Sequence, residues 1–337
     1  MGVMAEVKRT FTDLIDLAQE RLGGQVLHAS DEFFAPAENL LKPGRGEFKP
    51  DLYTDHGKWM DGWESRRRRS PGHDFCLIRL GLPGVVMGAN IDTHHFLGNH
   101  PPQASLEACN LGDSASLDDL LNPGTAWTEL LSKVDLKPGA ENLFEIASKG
   151  TWDHLRFNIY PDGGVARLRI HGLVTPRFLR AEAGEVDLAA VENGGLPVAC
   201  SDMFFSHMQN LIMPGASKNM GDGWETRRKR EPGNDWMVIR LGAAGRITRM
   251  IVETTHFKGN FPEACSLDGC RSDQSGLDPF DPGQQEWTEL LPPTNLAADS
   301  VHVFGTDLLA GQSCTHVRLN IYPDGGIARL RLLGQPD

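Results

Sequence analysis

The stretch RFNIYPDGGVARLRI, residues 156–170, returns as RLNIYPDGGIARLRL at residues 318–332. Twelve of the fifteen positions are identical, and the other three exchange one apolar residue for another. On both sides of Pro-Asp-Gly-Gly, apolar residues alternate with polar ones, which is the period of a strand with one buried face. Two such runs around a turn segment predict a β-hairpin. Because this stretch closes both halves of the chain, it decides the fold class.

Two further blocks are repeated in the same order. SDEFFAPAENLLKPG (30–44) matches SDMFFSHMQNLIMPG (201–215), and DGWESRRRRSPGHDFCLIRLG (61–81) matches DGWETRRKREPGNDWMVIRLG (222–242). The first block is about ten residues further from its copy than the others, so the first copy holds extra residues after it. The repeat unit is therefore a whole domain. We expect an N-terminal segment 1–24, a first copy 25–172, a linker 173–195 and a second copy 196–337.

The fold class follows from this pattern together with the composition. The chain contains 37 glycines and 21 prolines, and its apolar runs are short. These features predict an all-β protein made of tandem duplicated jelly-roll β-sandwiches. The order of W-x-x-I-R-L-G, H-F-x-G-N and S-L along the chain resembles the galactose-binding-like jelly roll of discoidin-type domains, a likeness of fold that implies no function by itself. Residues 5–22 place apolar side chains on one helical face before Gly23-Gly24, which predicts a short N-terminal helix.

Charge and cysteine content exclude several classes of partner. With 33 basic and 45 acidic residues, the formal charge is −12, which argues against nucleic acid and anionic membranes as partners. No apolar stretch is long enough to span a bilayer, and the N-terminus lacks the apolar core of a signal peptide. The six cysteines show no CxxC spacing. We therefore expect a cytoplasmic protein with reduced thiols.

The arginines of the repeated stretch are the first candidate site. In simple hairpin register Asn158 would face Arg167, and Arg156 would face Arg169, with Tyr160 beside the turn. Like charges that face each other are destabilising, so an anionic group is expected between them. It is either a carboxylate of the protein that ties sheet to loop or the carboxylate of a ligand. The equivalent residues of the second copy are Arg318, Asn320, Arg329 and Arg331.

Acidic residues and histidines supply candidates for proton transfer. The two candidate pairs are His95 with Glu107 and Glu64 with Asp61. In the second copy, Glu225 and His256 correspond to Glu64 and His95. The alternative for each histidine is a structural role near a strand end. Because the chain has no HExxH motif, a metal site is only weakly indicated, and a divalent ion such as Mn²⁺ is left open.

The repeated blocks resemble the allantoicase (allantoate amidinohydrolase) family over nearly the whole chain. The resemblance rests on SDEFFAPAENLLKPG, GKWMDGWESRRRRSPGHDFCLIRLGLPG, DTHHFLGNHPPQASLEAC, NIYPDGGVARLRIHG and the pentapeptide WTELL, which occurs twice. It implies a doubled jelly-roll hydrolase that acts on C–N bonds in linear amidines. Its substrate would be the small molecule allantoate, converted with water to ureidoglycolate and urea in purine (allantoin) degradation. It does not identify the catalytic residues.

For that substrate, an arginine pair would hold the carboxylate, and Asn158 and Tyr160 would bind the ureido groups. Arg66 and Asn99 are further candidates for substrate binding. The first copy has more histidines and the longer loop, but the copy that works is left open. Two other readings are a non-catalytic discoidin-like module that binds a ligand or carbohydrate, and an oligomerisation scaffold whose arginines bridge subunits. We expect a homo-oligomer.

Overall fold

The computed structural model describes residues 10–176, 184–274, 279–309 and 311–337. They fall into two compact units, one comprising Phe11–Thr175 and the other containing Pro176–Asp337. We call them repeat 1 and repeat 2. Both consist almost entirely of antiparallel strands, which confirms the predicted tandem duplicated all-β fold.

Repeat 1 contains twelve strands. They are β1 (Ile15–Asp16), β2 (Gln25–Ala29), β3 (Tyr53–Thr54), β4 (Gly57–Lys58), β5 (Trp63–Glu64), β6 (Asp74–Asp92), β7 (Gln103–Cys109), β8 (Thr128–Asp135), β9 (Glu141–Glu145), β10 (Thr151–Tyr160), β11 (Gly164–Val165) and β12 (Arg167–Val174). Helical segments are short: 3-10 turns at Phe11–Asp13, Glu20–Leu22 and Ala37–Leu41, and one α-helix, α1, at Leu117–Leu121.

The long strand β6 belongs to both layers of the sandwich. Its first part pairs with β2 and β10, and the layer continues through β7 to β8. Its second part pairs with β12 and β9, and β1 adds to β12. Trp63, Phe96 and Phe157 are among the largest fully buried side chains of this repeat. A strand that changes layer lets a short chain enclose one apolar core.

The prediction that the repeated stretch 156–170 forms a β-hairpin is wrong. β10 and β12 do not pair with each other, because β6 lies between them in the sheet order. Asn158 lies opposite Phe75 and Ser105, and Arg167 lies opposite Asp92. The Pro-Asp-Gly-Gly segment instead crosses between the layers and forms β11, which pairs with β5. The alternating pattern predicted the buried face of each strand correctly, but it carries no information about which strand is the neighbour.

Repeat 2 has the same strand order and pairing. Its strands are β13 (Val186–Asp187), β14 (Leu196–Cys200), β15 (Trp224–Glu225), β16 (Asp235–Glu253), β17 (Ala264–Cys270), β18 (Thr288–Asn295), β19 (Val301–Phe304), β20 (Cys314–Tyr322), β21 (Gly326–Ile327) and β22 (Arg329–Pro336). Its 3-10 turns are Val191–Asn193, Met208–Ile212, Met220–Asp222 and Pro282–Gln284. Within the described residues, the β3–β4 hairpin has no counterpart here, so it accounts for the extra residues of repeat 1.

The N-terminal helix expected over residues 5–22 is not seen where the chain is described. Residues 5–9 lie outside the described residues, and from Thr10 onward two 3-10 turns flank the edge strand β1. The Asp16 carboxylate accepts the backbone N–H groups of Ile170 and Ala18. Around this anchor to β12, Leu14, Ile15, Ala18 and Leu22 of the predicted helical face are buried. Asp187 plays the same part toward Leu332, so β13, within the expected linker 173–195, extends the sheet of repeat 2.

Candidate functional site

Arg167 and Arg329, at equivalent positions, are bound inside the protein. Arg167 is 3% exposed, and its guanidinium donates to Asp61 Oδ2 at 2.7 Å and to the carbonyls of Asp61 and Ala166. Arg329 is fully buried and donates to Asp222 Oδ2 at 3.0 Å. Burial pushes the pKa of Asp61 upward, but the hydrogen bonds from Arg167 and the Glu47 N–H, together with the positive charge of Arg167, hold the pKa below its usual range. Of the two alternatives left open by the sequence, this geometry agrees with the one in which a carboxylate of the protein itself binds the arginine and links the sheet to a loop.

The neighbouring arginines of the repeated stretch also bind the protein. Arg169 donates to the carbonyls of Lys42 and Gly44. Arg331 donates to the carbonyl of Met213 at 2.6 Å. Each therefore joins the last strand of its repeat to the loop after a 3-10 turn, and neither forms a clamp with Arg156 or Arg318.

The two pairs predicted for proton transfer are not brought together. His95 packs against His94, with ring centres 3.8 Å apart, and against Phe48 at 5.3 Å. Glu107 instead contacts residues of β10. Asp61 is bound to Arg167, as described above, while the Glu64 side chain contacts Asn99. In repeat 2, His256 Nε2 lies 2.9 Å from the carbonyl of Ser217.

The side of β10 that faces away from the core carries a polar cluster. The buried Asn158 donates to Ser105 Oγ and to Glu107 Oε2, both at 3.1 Å. The Tyr160 hydroxyl lies 2.9 Å from the same Ser105 Oγ, and Arg156 Nε lies 3.9 Å from Glu107 Oε2. We call these five residues the outer-face cluster. The structure therefore does bring Glu107 together with the predicted residues of β10.

Two residues that the sequence reasoning missed complete this cluster. His73 Nε2 lies 3.2 Å from Asn158 Oδ1, and the Lys133 ammonium lies 3.8 Å from the centre of the Tyr160 ring. Burial lowers the pKa of His73; the Asn158 hydrogen bond opposes this, and the positive charges of Arg156 and Lys133 lower the pKa further. These effects favour the neutral form of the His73 ring.

The equivalent cluster of repeat 2 is closed by internal contacts. Asn320 donates to Ser266 Oγ and to Asp268 Oδ2. Arg318 donates twice to Asp268 Oδ2, at 3.1 and 2.9 Å, and stacks over Trp287. The guanidinium of Arg318 is thus neutralised, whereas that of Arg156 keeps a looser contact with its acid.

A second arrangement, present in both repeats, joins a glutamate to an asparagine. Glu64 ends β5, and its Oε1 accepts from Asn99 Nδ2 at 2.8 Å. Burial raises the pKa of the Glu64 carboxyl, although the Asn99 hydrogen bond acts in the opposite direction. The next residue, His100, has a buried Nδ1 with no partner among the described residues. A half-buried carboxyl held by an amide is the kind of group that takes part in proton transfer.

In repeat 2, the corresponding glutamate and asparagine line an open cleft. Glu225 Oε1 accepts from Asn260 Nδ2 at 2.5 Å. The cleft has a volume of about 710 Å³, and Arg228, Phe261 and Asn295 are among its lining residues. We call it the repeat-2 cleft. Its volume lies within the range usual for small-molecule sites.

Arg66 lies beside the glutamate of repeat 1 but is bound to an aspartate. Its guanidinium contacts Asp31 Oδ2 at 2.6 Å and lies over the Phe33 ring. Arg67 is 3.7 Å from Asp162 Oδ1 at closest approach, and its side chain is 66% exposed. Of these two arginines, Arg67 is the freer to meet a ligand.

The described residues show neither a metal-binding cluster nor a membrane-spanning helix. They contain no group of three or more His, Cys, Asp or Glu side chains placed to hold a metal ion. None of their helices is long and apolar enough to cross a membrane.

The chain is similar to known proteins in both sequence and structure. The family model for the allantoicase repeat matches residues 15–175 and 186–337. A probable allantoicase 2 of Burkholderia pseudomallei is 49% identical over 323 residues, which covers 95% of this chain and 94% of that protein. A probable allantoicase of Photobacterium profundum is 46% identical and covers 96% of this chain and 97% of that protein. The crystal structure of allantoicase from Saccharomyces cerevisiae is 34% identical, covers 99% of both chains and superposes with a TM-score of 0.81.

Proposed function

Because this chain belongs to the allantoicase family, we propose that it is a hydrolase that converts allantoate and water to ureidoglycolate and urea. The family matches support this reading, and the same motifs carried the resemblance in the sequence. The observation that carries the site is the half-buried Glu64 carboxyl, whose pKa burial raises. A carboxyl with a raised pKa keeps its proton to higher pH than usual, which suits it to act as a general acid.

The reaction replaces a carbon–nitrogen bond by a carbon–oxygen bond at the carbon that bears both ureido groups. Glu64 gives its proton to the departing ureido nitrogen, so that urea leaves as a neutral molecule. Water attacks the same carbon and loses a proton to the ring of His100. Asn99 positions the Glu64 carboxyl through the hydrogen bond at Oε1. A positioned acid or base contributes about 10²- to 10⁴-fold to the rate.

The carboxylate of the substrate needs a cation, and Arg67 supplies it. Its guanidinium is mostly exposed, and its nearest acid is at the long distance of 3.7 Å. Arginine binds a carboxylate through two parallel charge-assisted hydrogen bonds. Arg66 is bound to Asp31, so it is not the cation that we assign to the substrate.

The alternative location for the substrate is the outer-face cluster, because it gathers Arg156, Asn158, Tyr160 and Glu107 near His73. Arg156→Ala and Glu64→Gln separate the two locations. Catalysis at Glu64 predicts that Arg156→Ala changes KM for allantoate less than threefold. A large rise in KM would move the substrate to the outer-face cluster.

The deciding experiment measures urea released from allantoate by the purified protein, against a boiled control and with and without Mn²⁺. We expect release by the wild type and a loss of about 10²-fold or more in kcat for Glu64→Gln. No urea above the control in either buffer would refute the hydrolase and favour a ligand-binding module. If Glu225→Gln alone stops the reaction, catalysis belongs to repeat 2. Cytoplasmic location and homo-oligomerisation stay predictions.

A further inference from the structure

The repeat-2 cleft has the volume of a ligand site and polar groups of both signs on its wall. Its lining includes the acids Glu225 and Glu263, the cation Arg228 and the amide of Asn295. Small-molecule sites combine a concave space of a few hundred Å³ with a small number of placed polar groups. The cleft meets both conditions within one repeat.

The Glu225 carboxylate presents one unused oxygen. Its Oε1 accepts from Asn260 Nδ2, and Oε2 has no hydrogen-bond partner in the described part of the chain. The amide holds the carboxylate in one orientation, so the second oxygen is a fixed acceptor. Such an acceptor suits the N–H group of a ureido or primary amide ligand.

Arg228 is the unused cation of this cleft. It makes no hydrogen bond or ion pair with the described residues, whereas its counterpart Arg67 contacts Asp162. The next residue, Lys229, is bound to Asp235 at 2.9 Å. Comparison of the two repeats shows that the fold does not require an unpaired guanidinium at this position. In repeat 2 the guanidinium of Arg228 nevertheless lies unpaired beside the cleft.

The residue that follows the asparagine differs in chemistry between the two repeats. His100, the titratable ring of repeat 1, is replaced in repeat 2 by Phe261, which lines the cleft. Phenylalanine offers an apolar wall and no proton transfer. Repeat 2 thus keeps the groups that bind a ligand but lacks the ring that we assign to proton transfer in repeat 1.

From these observations we propose that the repeat-2 cleft is a second binding site, for a small acid carrying one carboxylate and one ureido or primary amide group. Arg228 binds the carboxylate, and Glu225, held by Asn260, accepts the ligand N–H. The ligand class rests on the proposed function, since it is the class to which the substrate and its ureido product belong. The site itself rests on the free guanidinium and the unused carboxylate oxygen.

The test is a calorimetric titration of the full-length protein with N-carbamoylglycine. This probe carries one carboxylate and one ureido group and has no second ureido group on the same carbon. We expect two sites per chain in the wild type and one in Arg228→Ala, with the affinity of the lost site reduced at least about tenfold. Arg67→Ala is the matched control and should remove the other site, while Arg228→Lys should restore part of the binding.

The outcomes separate this inference from the proposed function. The second site is refuted if Arg228→Ala still binds two ligands per chain. It is also refuted if the wild type has a single site that only Arg67→Ala removes. Both results count even if the enzyme releases urea. No binding by the wild type overturns it as well. If the wild type releases no urea from allantoate but Arg228→Ala still loses one site, the hydrolase proposal fails and the second site stands. Circular dichroism checks that each variant is folded.

Discussion

Replacing Arg167 by methionine should destabilise repeat 1 and leave substrate affinity unchanged. The guanidinium makes three hydrogen bonds, two of them to Asp61, and is 3% exposed. Methionine keeps the apolar stem but leaves the Asp61 carboxylate with only the Glu47 N–H as a donor. Removing one partner of a buried ion pair costs about 3–5 kcal/mol. Because 1 kcal/mol shifts Tm by about 2–4 °C in a domain of this size, we expect a fall of about 6–20 °C.

The measurement is guanidinium chloride and thermal unfolding followed by tryptophan fluorescence, for which the buried Trp63 is a reporter in repeat 1. The double variant Asp61→Asn/Arg167→Met is the control. It should be more stable than Arg167→Met alone, because no unpaired buried charge is left. An unchanged unfolding midpoint together with a tenfold higher KM for allantoate would refute this reasoning and restore Arg167 as a ligand clamp.

Three further predictions concern proton binding and packing. Asn99→Ala removes a hydrogen bond that favours ionised Glu64, so the pKa of that acid should rise and the alkaline limb of the kcat profile should move to higher pH; a limb that moves to lower pH contradicts the assignment. Burial lowers the pKa of His316 from 6.5 to about 4, so the unfolded chain takes up a proton first as the pH falls. Between these two pKa values the free energy of unfolding should therefore decrease by about 1.4 kcal/mol for each unit by which the pH falls. His316→Gln should make the free energy of unfolding less dependent on pH when guanidinium unfolding is compared at several pH values. Gly164→Ala would place a Cβ 2.0 Å from the Phe96 ring and should cost about 1–3 kcal/mol by thermal unfolding, part of which Phe96→Leu should restore; no loss would contradict the packing.

The predicted site residues show where single-sequence reasoning works. Glu64 and Asn99 were each singled out, one for proton transfer and one for binding, and the structure places them in contact. The predicted pairing of Glu64 with Asp61 was wrong. The two residues are three positions apart in an extended segment, and this spacing does not bring both side chains to the same partner. His73 and Lys133 were missed, since repeat 2 does not preserve either of them: Asn234 stands where repeat 1 has His73.

The sequence by itself determined the duplication, the strand character and buried faces of the stretch RFNIYPDGGVARLRI and its copy, and the family. These properties depend on local periodicity and on motifs that are contiguous in the chain. Only the tertiary structure decided that β6 separates β10 from β12, that Asp61 neutralises Arg167, and that Glu64 contacts Asn99. Those pairings join residues that are distant in sequence. They depend on how the two layers pack around one core, and the alternating pattern contains no information about that packing.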